Sequence, residues 1–372
     1  MRKFIKRIFM TILIIIAVLA IGTVIFIQQP KFGKQPSGER LERIKQSPNY
    51  KDGKFQNLSN TPDLAEGTSY YTVMKDFFFG KDKRNTPQDS IPTKKEDLHN
   101  LSPDENIIVW FGHSSYFIQV DGKTILVDPV FSGSASPVSF TTKAFKGSDA
   151  YTVDDLPKID FLFISHDHWD HLDYKTILAL QPKVKKVITG LGTAEHLEYW
   201  GYDTATIEEK DWYDEVNLND DFTVTLTPAR HFSGRGFSRN KALWTSFVLQ
   251  TPTMKLFLGG DSGYDYFFKE IGDTYGPFDL AILECGQYNE YWKYIHMMPQ
   301  QVVKAATELK TKKLMPVHWG KFSLALHAWG EPIKEITQEA KKQNMPLLTP
   351  MIGEKTNLNN NEPQKEWWKE VN

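Results

Sequence analysis

The chain has 372 residues, with 44 Lys and Arg against 46 Asp and Glu, which gives a formal net charge of −2. Because a nucleic-acid-binding protein usually presents a basic face, this near balance argues against a nucleic-acid partner. The apolar fraction of 40% is enough for a sizeable core, and the single cysteine, Cys285, excludes an intrachain disulfide and fits a buried, inert thiol better than a nucleophile.

Residues 1–30 combine a basic segment with an apolar run that predicts a membrane anchor. Four basic residues stand in MRKFIKR, and Ile8 to Ile27 contain no charge. At about 1.5 Å per residue in a helix, this run spans roughly 30 Å, the thickness of a bilayer core. Since the basic cluster outweighs Lys31 and Lys34, the positive-inside rule predicts a single-pass cell-membrane protein with a cytoplasmic N-terminus and an extracytoplasmic domain.

Two alternatives compete with the anchor. Val18 and Ala20 resemble the small residues before a signal-peptidase cut, so a cleaved signal peptide is the first alternative. Signal peptides, however, have apolar cores of only about 7–15 residues, and this run continues past the possible cut. A buried core helix is the second alternative, and the flanking charges disfavour it.

Residues 31–105 form a predicted extension that packs on the main domain. The stretch is rich in Lys, Asp, Pro, Ser and Asn, and it has turn residues but little periodicity. The aromatic cluster of Phe77, Phe78 and Phe79 is expected to dock it.

Residues 106–354 alternate between apolar runs typical of buried strands and helix-like stretches. The strand-like runs are IIVWF, SYFIQV, TILVD, FLFIS, KVITG, FTVTLTP, SFVLQT, KLFLGG, DLAILE and KLMPVHW. The helix-like stretches are Tyr174–Leu180, Ala194–Trp200, Tyr264–Ile271, Pro299–Leu309 and Glu331–Gln343. Strands that are apolar on both faces and alternate with helices predict an α/β (α+β) domain whose sheets are covered by helices.

Residues 355–372 form a predicted tail rich in Asn, Glu and Lys. Its Trp367 and Trp368 are expected to pack on the domain. A contact with the membrane interface is the alternative.

The densest polar cluster is SHDHWDHLD at Ser165–Asp173, directly behind the apolar run IDFLFI. His166 and His168, two residues apart, can point the same way and bind one ion, and Asp170 and His171 then point to a second position. Imidazole nitrogen and carboxylate oxygen suit zinc, at about 2.0–2.2 Å. As ordinary structure, so many uncompensated polar groups at the end of a buried strand would be costly. The density and spacing therefore predict a metal site.

Three more ligand-type residues each follow an apolar run. His231 follows FTVTLTPAR, Asp261 follows KLFLGG and His318 follows KLMPV. Taken singly, each would more often be structural, but with the first motif they allow two ions. In this hypothesis the first ion is bound by His166, His168 and His231, the second by Asp170, His171 and His318, and Asp261 bridges them.

The run HDHWDH matches the HxHxDH signature of the metallo-β-lactamase fold. The runs WFGHSSYFIQVDGKTILVDPVFS, PARHFSGRG, GGDSGY and PVHWGKFSLALHAW extend the match over about residues 106–354. The sequence most resembles the branch that contains N-acylphosphatidylethanolamine-hydrolysing phospholipase D and bacterial membrane-anchored relatives, with L-ascorbate-6-phosphate lactonases as more distant cousins. This resemblance implies an αββα sandwich with two Zn²⁺ ions, or other divalent ions, bound at one edge by the seven residues named above. The signature is specific for the fold and much less so for the substrate. The variable residue inside it is Trp169, where the animal enzyme differs, so the substrate pocket is expected to differ there.

The predicted chemistry follows from two metal ions. Ions about 3.5–4 Å apart share a water and lower its pKa to about 7, so the resulting hydroxide is the nucleophile. Catalysis is assigned to Asp170 and Asp261 at the metals and to His296, which matches a position that the phospholipase family uses near the phosphate. A histidine before a helix without any functional role is the alternative for His296.

Other residues are assigned to support and substrate roles. Asp128 ends TILVD and is predicted to orient a ligand histidine, with an ordinary turn aspartate as the alternative. His113 is predicted to act likewise and His327 to line the pocket, whereas His99 and His196 are interpreted as surface residues. The aromatic residues expected to wall an apolar pocket, with simple packing as the alternative, are Trp169, Tyr288, Tyr291, Trp292 and Trp319.

These features predict a membrane-anchored dizinc hydrolase of a phospholipid phosphodiester, a substrate that a tethered domain meets at high effective concentration. A lactonase or other ester hydrolase with the same site is the first alternative, and a membrane-tethered binding protein that retains the fold is the non-enzymatic one. The expected partners are the lipid bilayer and a small-molecule or lipid phosphodiester, without nucleic acid. The sequence specifies no oligomeric state.

Overall fold

The N-terminal helix is exposed along all but its last turn. A computed structural model describes residues 1–219, 221–359 and 364–372. Helix α1, Arg2–Ile27, has no buried residue, and its most apolar window has a mean hydropathy of 3.0. By length and composition α1 is able to cross a membrane, as an anchor or as a signal sequence, since both share these properties.

The extension that follows is docked on the main domain. Its elements are α2 (Gly38–Ile44), β1 (Tyr50–Lys51), β2 (Lys54–Phe55) and α3 (Tyr70–Phe79). Ile44 and Phe55 are fully buried in one cluster with Leu191 and Trp244 of the main domain. Helix α2 and the β1–β2 hairpin therefore hold the extension in place.

The expected docking through Phe77, Phe78 and Phe79 is wrong. Phe78 and Phe79 are 72% and 86% exposed. Consecutive residues of a helix point about 100° apart, so three in a row cannot all face the domain. Helix α3 has no buried residue and is instead attached by its polar side, where the Tyr291 hydroxyl donates to Asp76 Oδ2 at 2.6 Å.

The main domain and the tail are built on two sheets. Their strands are β3 (Ile107–Trp110), β4 (Tyr116–Val120), β5 (Lys123–Val127), β6 (Ile159–Ile164), β7 (Val184–Gly190), β8 (Ile207–Lys210), β9 (Glu215–Asn219), β10 (Phe222–Thr227), β11 (Ser246–Gln250), β12 (Lys255–Leu258), β13 (Leu280–Glu284), β14 (Leu314–Val317) and β15 (Lys355–Asn357). Their helices are α4 (Tyr174–Leu180), α5 (Ala194–Tyr199), α6 (Phe267–Thr274), α7 (Pro299–Glu308) and α8 (Glu331–Gln343). The seven-stranded sheet has the order β15-β3-β4-β5-β6-β7-β8, and the six-stranded sheet has the order β14-β13-β12-β11-β10-β9.

The two sheets pack face to face between two layers of helices. Phe163 of β6 meets Phe247 of β11 edge to face at 5.0 Å between ring centroids. On the outer face of the first sheet, Leu162 packs with Ile177 of α4 and Leu197 of α5. Helices α6, α7 and α8 bury their apolar faces against the second sheet. The architecture is the predicted αββα sandwich.

Strand direction brings several strand ends to one edge. Strands β5, β6 and β7 are parallel to one another, as are β12, β13 and β14. Strand β10 runs antiparallel to β11, and β11 runs antiparallel to β12, so β10 and β12 share one direction. Because parallel strands end at the same edge of a sheet, the loops after β5 and β6 share one edge of the first sheet, and those after β10, β12 and β14 share one edge of the second. Contacts between the loops show that the two edges lie at the same end of the sandwich.

The tail is packed on the domain by its tryptophans. Trp367 and Trp368 are 1% exposed, and their rings lie 5.3 and 5.9 Å from that of Trp319. Strand β15 pairs with β3 at the edge of the first sheet. Part of the predicted tail, residues 360–363, lies outside the described residues.

Candidate metal centre

The ligand-type residues named from the sequence lie together at this edge. The loop after β6, here called the metal loop (residues 165–173), carries His166, His168, Asp170 and His171. The other three follow the ends of β10, β12 and β14, and they are His231, Asp261 and His318.

One group consists of three imidazoles that converge on a point. His168 Nδ1 lies 2.9 Å from His166 Nε2 and 3.2 Å from His231 Nε2. Zinc bonds of about 2.0–2.1 Å in a tetrahedron would set ligand nitrogens roughly 3.3 Å apart. Burial lowers the pKa of His166 and His231 well below the usual value, so both are neutral, the form of imidazole that binds metals.

A second group contains Asp170, His171, His318 and also His113. His113 Nε2 lies 2.9 Å from Asp170 Oδ2, and His171 Nε2 lies 3.6 Å from the same oxygen. The structure therefore places His113 within the group itself, beside the carboxylate, rather than behind a ligand histidine. His113 and His318 both have positive φ, 54° and 69°, and their backbones are joined by the His318 N–H to His113 C=O bond of 2.9 Å.

Asp261 lies between the two groups. Its Oδ2 is 3.1 Å from His171 Nε2 and 3.8 Å from His231 Nε2, and its Oδ1 is 3.2 Å from His318 Nδ1. Burial alone would raise the pKa of Asp261, but His171 and His318 lower it well below its usual range. The buried Oδ1 has no hydrogen-bond partner among the described residues. An ionised carboxylate with an orphaned oxygen, set among three imidazoles of ligand type, fits a cation between the groups.

Asp128 supports the metal loop from the end of β5. Its Oδ2 lies 2.8 Å from His171 Nδ1 and accepts from Ser165 Oγ at 2.5 Å, while its Oδ1 accepts from Ser165 N at 2.8 Å. A carboxylate at Nδ1 fixes the tautomer that leaves Nε2 free for a metal. His231 is fixed similarly, because its Nδ1 lies 3.0 Å from the carbonyl oxygen of Ile295.

His296 lies beside both groups and is paired with an acid that the sequence reading did not single out. Its ring stacks on His318 at 5.2 Å, and its Nδ1 is 3.6 Å from Glu284 Oε2. Burial raises the pKa of Glu284 to about 7. Burial alone would lower the pKa of His296, but Glu284 raises it. The sequence did contain a signal for Glu284, since this acidic residue closes the apolar run DLAILE of β13 at the same sheet edge.

The groups open into a cavity of about 390 Å³ that is lined by both polar and apolar side chains. The polar lining residues are Asp63, His168, Asp170, His231, Arg239, Asp261, Gln287, His296 and His318. The apolar and aromatic ones are Leu64, Tyr70, Val73, Phe77, Phe232, Trp292, Ile295 and Leu324. Three of these belong to α3, so the extension supplies one wall of the cavity.

The aromatic wall expected from the sequence is largely wrong. Of the five residues named for it, only Trp292 lines the cavity. Trp319 is buried in the tryptophan cluster, and Tyr291 is bonded to α3 through Asp76. Trp169 faces away from the cavity, with its ring 5.2 Å from that of Phe32 and 4.0 Å from the Arg235 guanidinium carbon.

Two histidine predictions also need correction. His327 does not line this cavity: its Nε2 accepts from Gln287 N at 2.9 Å and its Nδ1 donates to Ala328 O at 2.8 Å. His196, interpreted as a surface residue, is 1% exposed because residues after α1 cover it. His99 is exposed as expected.

Comparison with known proteins identifies the class. A family model described as the β-lactamase superfamily domain matches residues 123–319. An uncharacterized protein of Mycobacterium tuberculosis is 35% identical over 328 residues, 87% of this chain and 88% of the relative. The metallo hydrolase Igni18 of Ignicoccus hospitalis has a TM-score of 0.53 at 21% identity, over 68% of this chain and 97% of that one, and supports the fold. The chain belongs to the β-lactamase superfamily, and its homologues include metal-dependent hydrolases.

Within this class a phospholipase is a relative. N-acyl-phosphatidylethanolamine-hydrolyzing phospholipase D 1 of Caenorhabditis elegans is 29% identical over 266 residues, 65% of this chain and 74% of the relative. The chain is therefore related to that phospholipase D branch, as the signature and its flanking runs predicted.

Proposed function

We propose that this chain is a membrane-anchored, dinuclear zinc phosphodiesterase that hydrolyses a phospholipid. The observation that carries the proposal is that apolar residues of α3 line the same cavity as the ligand-type histidines, so this cavity offers polar groups for a phosphate and apolar surface for acyl chains. A soluble sugar phosphate would gain little from Tyr70, Val73 and Phe77. The related phospholipase D of C. elegans supports a phosphodiester as the reacting group.

The proposed ions occupy the two groups of side chains described above. The first is assigned to His166, His168 and His231, the second to Asp170, His171 and His318, and Asp261 is assigned to both. When bound, two divalent ions supply an activated water and positive charge close to the phosphate oxygens. His113 holds the Asp170 carboxylate through the 2.9 Å contact at Nε2.

His296 and Arg239 are assigned to the substrate phosphate. Glu284 favours the protonated, cationic form of His296, which suits a phosphate oxygen. Arg239 is at the cavity rim, where Nη1 lies 2.9 Å from Asp63 Oδ2 with both side chains about half exposed. A phosphate that displaces Asp63 would gain a second cation.

The anchor is assigned to α1. The four basic residues before Ile8 favour a cytoplasmic N-terminus, which puts the catalytic domain on the outer side of the membrane. Attachment to the bilayer keeps a lipid substrate at high effective concentration. An apolar cavity beside the metal centre would then bind a substrate that is always close to the domain.

The test is hydrolysis by the full-length protein in detergent or vesicles. N-acyl-phosphatidylethanolamine and phosphatidylcholine are compared with an acyl-homoserine lactone and a p-nitrophenyl ester. The proposal expects the phospholipids to be cleaved, with His296→Ala reducing phosphodiester turnover more than ester turnover. The matched control is His99→Ala, since His99 is an exposed histidine outside the cavity.

A second pair of variants tests the apolar wall. Val73 lines the cavity and its neighbour Met74 is 59% exposed without lining it. Val73→Ser is expected to raise KM for the long-chain lipid, and Met74→Ser is expected to leave KM unchanged. Efficient lactone opening with every phospholipid intact would replace the proposal by the lactonase, and zinc binding without turnover would leave a tethered binding protein.

A further inference from the structure

The segment that leaves the apolar helix, residues 30–34, is packed against the back of the metal loop. Phe32 meets Trp169 of the loop edge to face, at 5.2 Å between ring centroids. The Trp200 indole N–H donates to the Pro30 carbonyl oxygen at 2.8 Å. The segment therefore occupies a defined position and is not a free tether.

A buried arginine joins this segment to both halves of the metal loop. Arg235 is 2% exposed, and its Nη1 donates to the carbonyl oxygens of Asp167 at 2.8 Å and Leu172 at 2.6 Å. Its Nε and Nη2 donate to the Lys31 carbonyl oxygen at 3.1 and 2.9 Å. Burial lowers the pKa of Arg235 to about 10, which leaves the guanidinium charged at neutral pH. One cation thus ties two points of the loop backbone to residue 31.

A second connection passes through His196. The Lys34 N–H donates to His196 Nδ1 at 3.0 Å, so the ring proton is on Nε2, which lies 3.3 Å from Asp167 Oδ2. Asp167 Oδ1 in turn accepts from Gly234 N at 2.6 Å. Asp167 stands between the two ligand-type histidines His166 and His168, so the chain of contacts ends on the backbone that sets their spacing.

We propose that residues 30–34 are a positioning element of the metal centre, which holds His166 and His168 at ligand spacing through Arg235 and the His196–Asp167 pair. The membrane anchor and the metal loop are then one mechanical unit. Groups that orient metal ligands from behind commonly contribute about 10–100-fold in metal affinity. The inference rests on the metal centre of the proposed function but not on its substrate.

A glycine pair offers a matched test in the full-length protein. Gly33 has φ +72°, and a Cβ built there would lie 2.0 Å from His196 Nδ1. Gly38 has φ +55° and would meet no atom within 4 Å. Gly33→Ala displaces the segment in two ways, since its Cβ would clash with His196 and φ +72° with ψ −156° is a region that essentially only glycine adopts. Gly38→Ala is the control for a positive-φ glycine whose Cβ meets nothing.

Two readouts are measured in detergent. The first is deuterium uptake of a peptide covering residues 165–173 in metal-free protein, where the amides of His171 and Leu172 are bonded to the His168 carbonyl oxygen at 3.1 and 2.8 Å. The second is zinc affinity by competition with a chromophoric chelator. For Gly33→Ala we expect faster uptake and zinc affinity weaker by about tenfold, with Gly38→Ala within about twofold of wild type.

The outcomes separate the two proposals. If Gly33→Ala and Gly38→Ala show the same deuterium uptake and the same zinc affinity, the positioning role is overturned. If the wild type binds no zinc, the proposed function fails, and the uptake comparison still decides whether the segment holds the loop. If Gly33→Ala does not fold, Phe32→Ala replaces it, because this change removes the contact with Trp169 without a backbone clash. Unchanged uptake in that variant would equally overturn the inference.

Discussion

Replacing Asp128 by asparagine is the sharpest test of how the centre is held. The carboxylate faces only donors: Ser165 N at 2.8 Å, Ser165 Oγ at 2.5 Å and His171 Nδ1 at 2.8 Å. An asparagine keeps the shape but turns an NH₂ group toward one of them. If that group donates to His171 Nδ1, the ring proton moves to Nε2, and Nε2 can no longer bind a metal.

The expected magnitude follows from that geometry. Loss of a partner behind a metal-binding histidine costs about 10–100-fold in affinity. This equals about 1.4–2.8 kcal/mol, which agrees with about 1.5–3 kcal/mol for one hydrogen bond to a charged group. Asp128→Asn should therefore weaken one of two zinc sites by this factor, namely the site assigned to Asp170, His171 and His318.

The assay is zinc titration of full-length protein against a chelator, read as the number of tightly bound ions per chain. Asp160→Asn is the matched control, because Asp160 lies at the opposite end of β6 and its carboxylate pairs with Thr124 N and Lys185. If the Asp128→Asn variant binds both ions as tightly as the Asp160→Asn control, the role assigned to Asp128 is refuted.

Three further predictions address the ligands, the buried acid and the anchor. Metal analysis of purified protein should find close to two divalent ions per chain, and His168→Ala should lose metal and nearly all activity; full activity without metal would exclude the mechanism. Burial raises the pKa of Glu284 from 4.5 to about 7. In metal-free protein this shift stabilises the fold below pH 4.5, and the stabilisation is lost as the pH rises through 7. The raised pKa of His296 changes the stability in the same direction. Wild type should therefore lose stability relative to Glu284→Gln between about pH 5 and pH 8, measured by chemical unfolding with a chelator present; a constant difference would contradict the raised pKa values. Protease added to intact cells should digest the domain, and a tag at Asn372 should be reachable from outside, whereas a protected C-terminus would reverse the proposed orientation.

The sequence predicted the buried strands and some helix bounds because local chemistry determines them. Helix α4 has the predicted bounds, Tyr174–Leu180, since Asp173 before it accepts from Lys175 N as an N-cap. Helix α8 also has its predicted bounds, and it ends at Asn344 with φ 53°, a left-handed residue that stops a helix. Both signals are present in a few consecutive residues.

The strands missed by the sequence reading in the main domain and tail are all at sheet edges. Strands β8 and β15 are the two edges of the first sheet, and β9 is an edge of the second. Their sequences, IEEK, EVNLN and KTN, are polar because an edge strand covers less of the core than a central one. Apolar runs cannot reveal such strands, since the pairing that creates them is set by the neighbouring strand.

The errors at the candidate site have a different cause. Ligand-type residues could be found because each stands directly after an apolar run, and Glu284 carried the same signal as the acidic last residue of DLAILE. The burial of His196 and the place of α3 in the cavity wall depend on segments more than a hundred residues away in the chain, Lys34 among them. No local pattern in the sequence encodes which surface a distant segment will cover.

The density of polar residues in the metal loop has a physical explanation in this arrangement. His168 and Asp170 face the cavity, whereas Trp169 contacts Phe32 of the segment after α1 and Asp167 is joined to that segment through His196. Neighbouring residues of the loop thus point to opposite sides, so a short stretch presents ligand-type side chains on one side and attachment points on the other. Trp169 belongs to the attachment side, so a substitution there would change how the loop is held before it changes what the cavity accepts. A metal loop that is fixed from behind keeps its ligands at their spacing while the cavity side remains open to a substrate.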